Sequence, residues 1–300
     1  MSNPAVLQGN AFDIPLELRA NDITRHIINI DSRFRTNPSA SSTSNFYYRL
    51  QAPVRNILRI RITSIEFPNS YLLFTKKRSN VTIRIIYNQA APQTFIITIP
   101  DGNYTAYEMV DAINAILTPG LSWLSVAFDP LSGRFTFAGN QYFAVDTTYE
   151  SICRPFDYGL GYYIGFSRRS HLAVGAVSTW TVDSDQCASF AGDNYVFLKV
   201  NDFDCVSQQT DEQTFTALAK IVLREPKNYM AFDDYASQHA KEVVFPNPQD
   251  LTRFHIQILD AYGDVMDLCS SQISFSLEVL EVKNLTLYNT IRDSISLRYV

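Results

Sequence analysis

Histidine, which serves in acid–base catalysis and metal binding near neutral pH, is sparse and dispersed in this chain. The four histidines are His26, His171, His239 and His255. A zinc site usually shows at least one close pair of ligands along the sequence, and no such pair of histidines or cysteines occurs here. We therefore predict no metal site, no bound cofactor and no catalytic residues.

Three closely spaced aspartate pairs have the chemistry of calcium ligands or of a glycoside hydrolase. The pairs are Asp183 and Asp185, Asp202 and Asp204, and Asp233 and Asp234. None has the glycine and distal glutamate of an EF-hand loop, and sequence spacing does not fix the separation that a glycosidase needs. Aspartate is common in loops because its carboxylate accepts backbone hydrogen bonds. We therefore expect these aspartates to lie in loops. The alternative, a glycoside hydrolase, requires two carboxylates with perturbed pKa values in a cleft.

The stretch Gly159–Gly165 is rich in glycine but lacks the spacing and the helix of a dinucleotide-binding loop. Close backbone approach or a sheet bend is the expected use of glycine there. Basic clusters occur at Lys76–Arg78 and Arg168–Arg169, and we expect such short runs to be exposed to solvent. The formal net charge of −5 argues against nucleic acid as a partner, because such binding depends on cations that neutralise phosphates.

The cysteines and the hydropathy indicate a reducing compartment and no membrane span. The cysteines are Cys153, Cys187, Cys205 and Cys269. They are far apart and form no CxxC motif, so we expect buried or half-buried free thiols. The first twenty residues contain no apolar segment of a signal peptide, and no apolar run is long enough to cross a bilayer.

Alternation of apolar and polar residues dominates the chain and predicts antiparallel strands with one buried face. The apolar members of four such runs are Leu58, Ile60 and Ile62; Val81, Ile83 and Ile85; Phe254, Ile256 and Ile258; and Ile273, Phe275, Leu277 and Val279. Turns are predicted at 129–133 and 260–264, where Gly133 and Gly263 suit chain reversal. About a dozen short strands of this kind indicate a sandwich or barrel.

One helix is predicted after a capping box formed by Thr105 and Glu108, with an apolar face continuing to Leu117 and a stop at Pro119. Residues 167–192 and 224–250 show little alternation and are expected to be long loops. Trp123 and Trp180 have the chemistry of a sugar-binding platform, but Trp123, beside the helix stop and a strand, is expected in the core.

Several short segments, in their order from about residue 25 to 280, resemble minor capsid and penton-type proteins of large nucleocytoplasmic double-stranded DNA viruses of algae and amoebae. The segments are 26–33, 45–50, 65–71, 97–105, 129–137, 160–166, 256–264 and 274–278. The motif positions within or beside them are Asp31, Ser32, Arg33, Pro68, Asn69, Asp101, Gly102, Tyr104, Gly133, Gly161, Gly165 and Gly263. The resemblance implies structural roles for these positions and supplies no catalytic residues.

The resemblance implies an all-β fold, an antiparallel jelly-roll sandwich with an inserted subdomain containing one helix and a hairpin. We expect an extended arm over 1–24, the jelly roll over 25–280 with the insertion at about 100–166, and a tail over 281–300. The arm and the tail lack a core pattern and are expected to order on neighbouring subunits.

The expected function is that of a minor capsid protein that cements neighbours in an icosahedral virion, assembled in the host cytoplasm. Its expected partners are the major capsid protein, minor capsid or penton neighbours, and further copies of itself. One alternative is the penton at the vertex of the same shell. An alternative from another class is a carbohydrate-binding jelly roll for host attachment.

Overall fold

The computed structural model describes residues 22–149, 159–176, 178–209, 214–223, 229–233 and 242–296. The strands are β1 (Ile23–Asp31), β2 (Asn45–Pro68), β3 (Thr82–Tyr87), β4 (Gln93–Thr98), β5 (Leu124–Asp129), β6 (Arg134–Gly139), β7 (Phe143–Asp146), β8 (Ser170–Leu172), β9 (Val174–Ala176), β10 (Thr179–Asp183), β11 (Tyr195–Val200), β12 (Val206–Gln209), β13 (Thr214–Ala217), β14 (Ala219–Val222), β15 (Met230–Asp233), β16 (Glu242–Leu259) and β17 (Ser274–Val282). The helices are α1 (Ala106–Gly120), α2 (Leu160–Tyr163) and α3 (Leu285–Ser296), with single 3-10 turns at Ser32–Phe34 and Lys76–Arg78.

Every pairing between these strands is antiparallel within the described residues, and the predicted all-β, antiparallel fold class is confirmed. The chain divides into two compact units, one formed by 1–71 with 193–300 and the other by 72–192. The segment 100–166, where the insertion is expected, lies inside the second unit.

The first unit contains a seven-stranded sheet in the order β1-β17-β2-β16-β11-β14, with β15 also paired to β2, and the β12–β13 hairpin. Strand β2 is the longest element at 24 residues, and it pairs with β15, β16 and β17. Its alternation buries Leu58, Ile60 and Ile62, as the sequence predicts. The opposite face carries Arg59 and Arg61, so β2 separates an apolar core from a charged surface.

The second unit contains two four-stranded sheets, β5-β6-β10-β9 and β4-β3-β7-β8, and the helices α1 and α2. The predicted capping box of α1 is confirmed: the Glu108 N–H donates to the Thr105 hydroxyl at 3.3 Å, and the Glu108 carboxylate accepts from the Thr105 N–H at 2.8 Å. These bonds satisfy backbone donors that a helix start leaves without partners. The apolar face of α1 buries Met109, Ile113 and Leu117.

The prediction of long loops at 167–192 and 224–250 is wrong in part. The first range contains β8, β9 and β10, and the second contains β15 and the start of β16. Strands β8 and β9 have three residues each, which is too short to show alternation. The first half of β16 contains Pro246 and Pro248 and buries no side chain, although it pairs with β2. Because no side chain is buried there, the sequence shows no alternation of apolar and polar residues.

The described part of the tail is helical and contacts the core, which differs from the expectation for 281–300. Tyr288 on α3 is only 7% exposed and packs with Leu58 and Val282. The single buried aromatic residue gave no periodic signal in the sequence. No helix among the described residues is long and apolar enough to cross a membrane. Residues 1–21 of the predicted arm lie outside the described residues.

The cysteine prediction also needs correction, because Cys187, Cys205 and Cys269 are exposed. Each occupies a connecting segment rather than a buried strand position. None of these three cysteines forms a disulfide within the described residues, and Cys153 lies outside them.

Candidate functional site

The motif residues at 31–33 fix the corner where β1 ends. The Asp31 carboxylate accepts hydrogen bonds from the Arg33 backbone N–H at 2.8 Å and from the Arg33 Nε at 2.9 Å. The side-chain bond from Arg33 lowers the pKa of Asp31 despite the opposing effect of burial. The buried Ser32 hydroxyl donates to the Gln272 side chain at 2.6 Å and accepts from the Ile273 N–H at 3.0 Å. The motif therefore links the end of β1 to the segment that enters β17.

Pro68 and Asn69 mark the end of β2. Pro68 is its last residue and pairs with β15, and the buried Asn69 donates its N–H to the Tyr229 carbonyl at 2.9 Å. Two residues after Asn69, Tyr71 is 1% exposed and its hydroxyl accepts from the Asp193 N–H at 2.7 Å. The first unit leaves off at Tyr71 and resumes at Asp193, and the hydrogen bond between these two residues holds the two ends together.

Residues Asp101, Gly102 and Tyr104 form a second hydrogen-bonded loop, before α1. The Asp101 carboxylate accepts from the Lys76 N–H at 3.0 Å, and Gly102 exchanges two backbone hydrogen bonds with Phe74 at 2.9 and 3.1 Å. The Tyr104 ring contacts the buried Phe74 edge-on at 5.7 Å. Burial and the nearby Asp101 charge raise the pKa of the Tyr104 hydroxyl, which donates a hydrogen bond to the Pro100 carbonyl at 2.7 Å.

Gly133 and Gly263 occupy the two predicted turns, and both reversals are confirmed. The Gly133 N–H donates to the Asp129 carbonyl at 2.8 Å between β5 and β6. The Gly263 N–H donates to the Asp260 carbonyl at 3.2 Å between β16 and β17. Each glycine closes its own turn.

Gly161 and Gly165 lie where other backbone or side-chain atoms approach closely. A Cβ atom at Gly161, in α2, would lie 2.5 Å from the Thr147 Cγ2. The Gly165 carbonyl accepts from the Gln186 N–H at 2.9 Å, and a Cβ atom there would meet the Gln186 carbonyl. Close approach is the use of glycine that the sequence favoured for this stretch.

The twelve motif positions do not converge on one site. Those at 31–33, 68, 69 and 263 lie in the first unit, and those at 101, 102, 104, 133, 161 and 165 in the second. Each group is hydrogen-bonded or packed where the chain changes direction. The arrangement therefore positions strands and supplies no shared chemical centre.

The structure brings together a polar cluster that sequence spacing did not reveal, formed by Ser167, Arg169, His171 and Asp185. The Asp185 carboxylate accepts from the Ser167 hydroxyl at 2.6 Å and from the Arg169 guanidinium at 2.7 Å. The His171 Nδ1 is 3.7 Å away from this carboxylate, and its Nε2 lies 2.9 Å from the Ser167 carbonyl oxygen. The cluster borders a cavity of about 360 Å³ between β8, β9 and β10.

Asp185 is not suited to act as a general acid near neutral pH. Burial raises the pKa of Asp185, but hydrogen bonds from Ser167 and Arg169 and the charge of His171 outweigh it and lower the pKa to about 2. A carboxylic acid ionised this strongly holds no proton to donate near pH 7. The Ser167 hydroxyl directs its proton to the carboxylate and not to an imidazole base. The cluster ties residues 167–171 to the end of β10.

We expect Asp185→Asn to weaken the dependence of stability on acid pH. Because the pKa in the folded chain, about 2, lies below the ordinary 3.8, the carboxylate stabilises the fold fully above 3.8, and this contribution is lost as pH falls toward 2. The variant should therefore be less stable at neutral pH and lose less stability between these pH values. The measurement is acid unfolding followed by tryptophan fluorescence, since Trp123 and Trp180 both lie in the second unit. Asp111→Asn, at an exposed position on α1, is the control, and an equal effect in both variants would contradict the assignment.

Of the other candidates, His26 is 2.5 Å from a Glu281 carboxylate oxygen, and His255 stacks on Tyr47. His239 and Asp234 lie outside the described residues. No group of three or more histidine, cysteine or acidic side chains in the described ranges is placed to hold a metal ion.

The two tryptophans lie at separate aromatic contacts. Trp123 is half-buried and contacts the rings of Tyr87 and Phe143 at 5.9 and 6.1 Å. Trp180 contacts Tyr142 edge-on at 5.3 Å. The Trp123 ring thus packs partly into the core of the second unit, as expected from its sequence context.

No protein-family model matches the chain, and no curated protein matches it significantly. Among solved structures, the mavirus penton protein is similar with a TM-score of 0.47 and 10% identity, over 86% of this chain and 99% of that one. A chain of the Sputnik virophage is similar with a TM-score of 0.42 and 10% identity, over 87% and 98%. A chain from the complex of the two major capsid proteins of bacteriophage P23-77 has a TM-score of 0.20 and 12% identity, over 86% and 99%. At TM-scores below one half, these likenesses assign no role to any residue of this chain.

Proposed function

We propose that this chain is a structural, non-enzymatic subunit of an icosahedral virus capsid, with a jelly-roll fold, and that it occupies the vertices as a penton. The proposal rests on the structural role of the motif residues on which the resemblance to capsid proteins is based. Asp31, Asn69, Asp101 and their neighbours secure chain reversals within antiparallel β units. Such positions preserve the shape of a subunit that acts through contact with its neighbours.

The described part of the tail weakens the argument for the minor capsid role. The expectation of a cementing protein depended on a terminal arm and tail that order on neighbours. Instead, α3 packs Tyr288 against Leu58 and Val282 of its own unit. At least this part of the tail is already engaged within the chain, which removes one reason to prefer a cementing function.

In this proposal the partners are further copies of the chain, in a closed five-fold ring, and the major capsid proteins that surround it. A ring of this kind uses a heterologous contact, in which one surface of a subunit meets a different surface of the next. The proposed location is the virion, with assembly in the host cytoplasm.

The test is the number of copies per purified particle, measured by quantitative mass spectrometry against the major capsid protein. A penton is expected at about sixty copies, from five subunits at each of the twelve vertices. Native mass spectrometry of the isolated chain should then show a closed pentamer. A count in the hundreds would instead support the minor capsid role, and absence of the chain from particles would contradict any capsid function.

A further inference from the structure

The outer face of three adjacent strands of the first unit carries a compact group of aromatic and cationic side chains. Strands β2, β16 and β11 contribute to it, and their opposite face buries Phe46, Phe254 and Ile256. We call this surface the tyrosine–histidine patch. Its members are Asn45, Tyr47, Arg49, Lys199, Arg253 and His255.

The two rings of the patch hold each other in place. Tyr47 and His255 are direct cross-strand partners, and their rings stack at 4.5 Å with an interplanar angle of 19°. The His255 Nε2 is 2.9 Å from the Asn45 side-chain oxygen, and the Arg253 guanidinium lies 5.2 Å from the centre of the Tyr47 ring. Tyr47 is nevertheless 45% exposed, so a large, ordered aromatic surface remains open to solvent.

The positive charges of the patch are arranged unfavourably for the isolated chain. Arg49 and Arg253 are direct cross-strand partners, both exposed, and like charges in this position repel each other. Neither guanidinium forms an ion pair with a carboxylate within the described ranges. Lys199 adds a third cation. One carboxylate, that of Asp202, lies close enough to His255 to act on it electrostatically. The patch is therefore locally cationic in a chain whose net charge is −5.

We propose that the tyrosine–histidine patch is a docking surface for an acidic segment of a partner protein, with Arg49 and Arg253 binding its carboxylates. A guanidinium presents two parallel N–H donors that match a carboxylate, and an anion between the two arginines removes their mutual repulsion. The stacked rings of Tyr47 and His255 provide a rigid surface beside the charges. Binding therefore orders few additional side chains.

The composition of the patch favours a protein segment over a long polyanion. Tyrosine and arginine are enriched among the residues that contribute most to protein–protein affinity. Nucleic acids and sulfated glycans gain affinity from many cations along their length. Here Arg49, Arg253 and Lys199 form only a short group of cations. This inference does not depend on the proposed role in a capsid.

The test is a binding titration of the full chain with a short fluorescent oligoglutamate peptide, with an oligoglutamine peptide of equal length for comparison. We expect saturable binding of oligoglutamate only. Replacing both arginines, Arg49→Gln with Arg253→Gln, should weaken binding at least about tenfold, because each guanidinium–carboxylate pair contributes charge-assisted hydrogen bonds. Arg49→Lys with Arg253→Lys keeps the charge but removes the planar fork, and should weaken binding by a smaller factor.

The matched control is Lys76→Gln with Lys77→Gln, which removes two exposed positive charges from the second unit. Its affinity for oligoglutamate should equal that of the original chain, and circular dichroism should show all variants folded. No binding to the original chain, or equal weakening in the control, would overturn the proposal. Tighter binding of a sulfated oligosaccharide or single-stranded DNA, with the same loss in the arginine variant, would also overturn it in favour of a polyanion.

Discussion

Replacing Gly165 by alanine is expected to destabilise the second unit by about 3 to 5 kcal/mol. Gly165 has a φ angle of +89°, which residues with a Cβ atom rarely adopt. A Cβ atom there would also lie 2.2 Å from the Gln186 carbonyl oxygen and 3.1 Å from the Ser184 hydroxyl. Because the close neighbour is backbone that bonds to Gly165 itself, relief of the overlap requires this hydrogen-bonded loop to separate. Denaturant unfolding monitored by tryptophan fluorescence measures the change, since both tryptophans lie in this unit.

Gly133→Ala is the matched control for this prediction. Gly133 also has a positive φ, +67°, but an added Cβ atom would meet its nearest neighbour, Cys187, at an ordinary 3.4 Å. Alanine at this position has the unfavourable backbone angle without the close contact, so the cost should stay at about 1 to 2 kcal/mol. Equal destabilisation by the two variants would show that the backbone angle alone, and not the contact with Gln186, determines the effect.

Replacing Glu278 by glutamine is expected to lower the free energy of unfolding of the first unit by about 2 to 4 kcal/mol. Glu278, on β17, is only 4% exposed and lies between cations on both neighbouring strands. Its carboxylate oxygens are 3.4 Å from Arg59, 3.1 Å from Arg61 and 3.5 Å from Arg25. The neutral amide would leave three positive charges without this shared anion, two of them partly buried. Denaturant unfolding followed by circular dichroism measures the change.

Arg25→Gln separates the buried part of this network from its exposed part. The Arg25 side chain is 61% exposed, against 19% for Arg59. Solvent screens an exposed ion pair, so its loss should cost no more than about 1 kcal/mol. If Glu278→Gln costs as little as Arg25→Gln, the buried carboxylate does not stabilise the sheet as its position indicates.

The elements that could be predicted from the sequence are those whose signals lie within a few consecutive residues. Alternation placed Leu58, Ile60 and Ile62 on the buried face of β2, because side chains of a strand point to opposite faces in turn. The Thr105–Glu108 capping box gave the start of α1, since its two hydrogen bonds join residues three apart. A dozen such local signals were enough to give the all-β, antiparallel class.

Contacts between residues that are distant in the sequence could not be predicted from local patterns. Ser167 and Asp185, and likewise Arg49 and Arg253, become neighbours through strand pairing and loop placement that no local pattern encodes. The three-residue strands β8 and β9 are too short for a period to appear, and their pairing depends on the strands already formed beside them. Helix α3 was also not predicted, because a single buried side chain, Tyr288, joins it to the core and gives no periodic pattern. Local sequence fixes which face of a strand is apolar, whereas register and packing fix which polar groups come together.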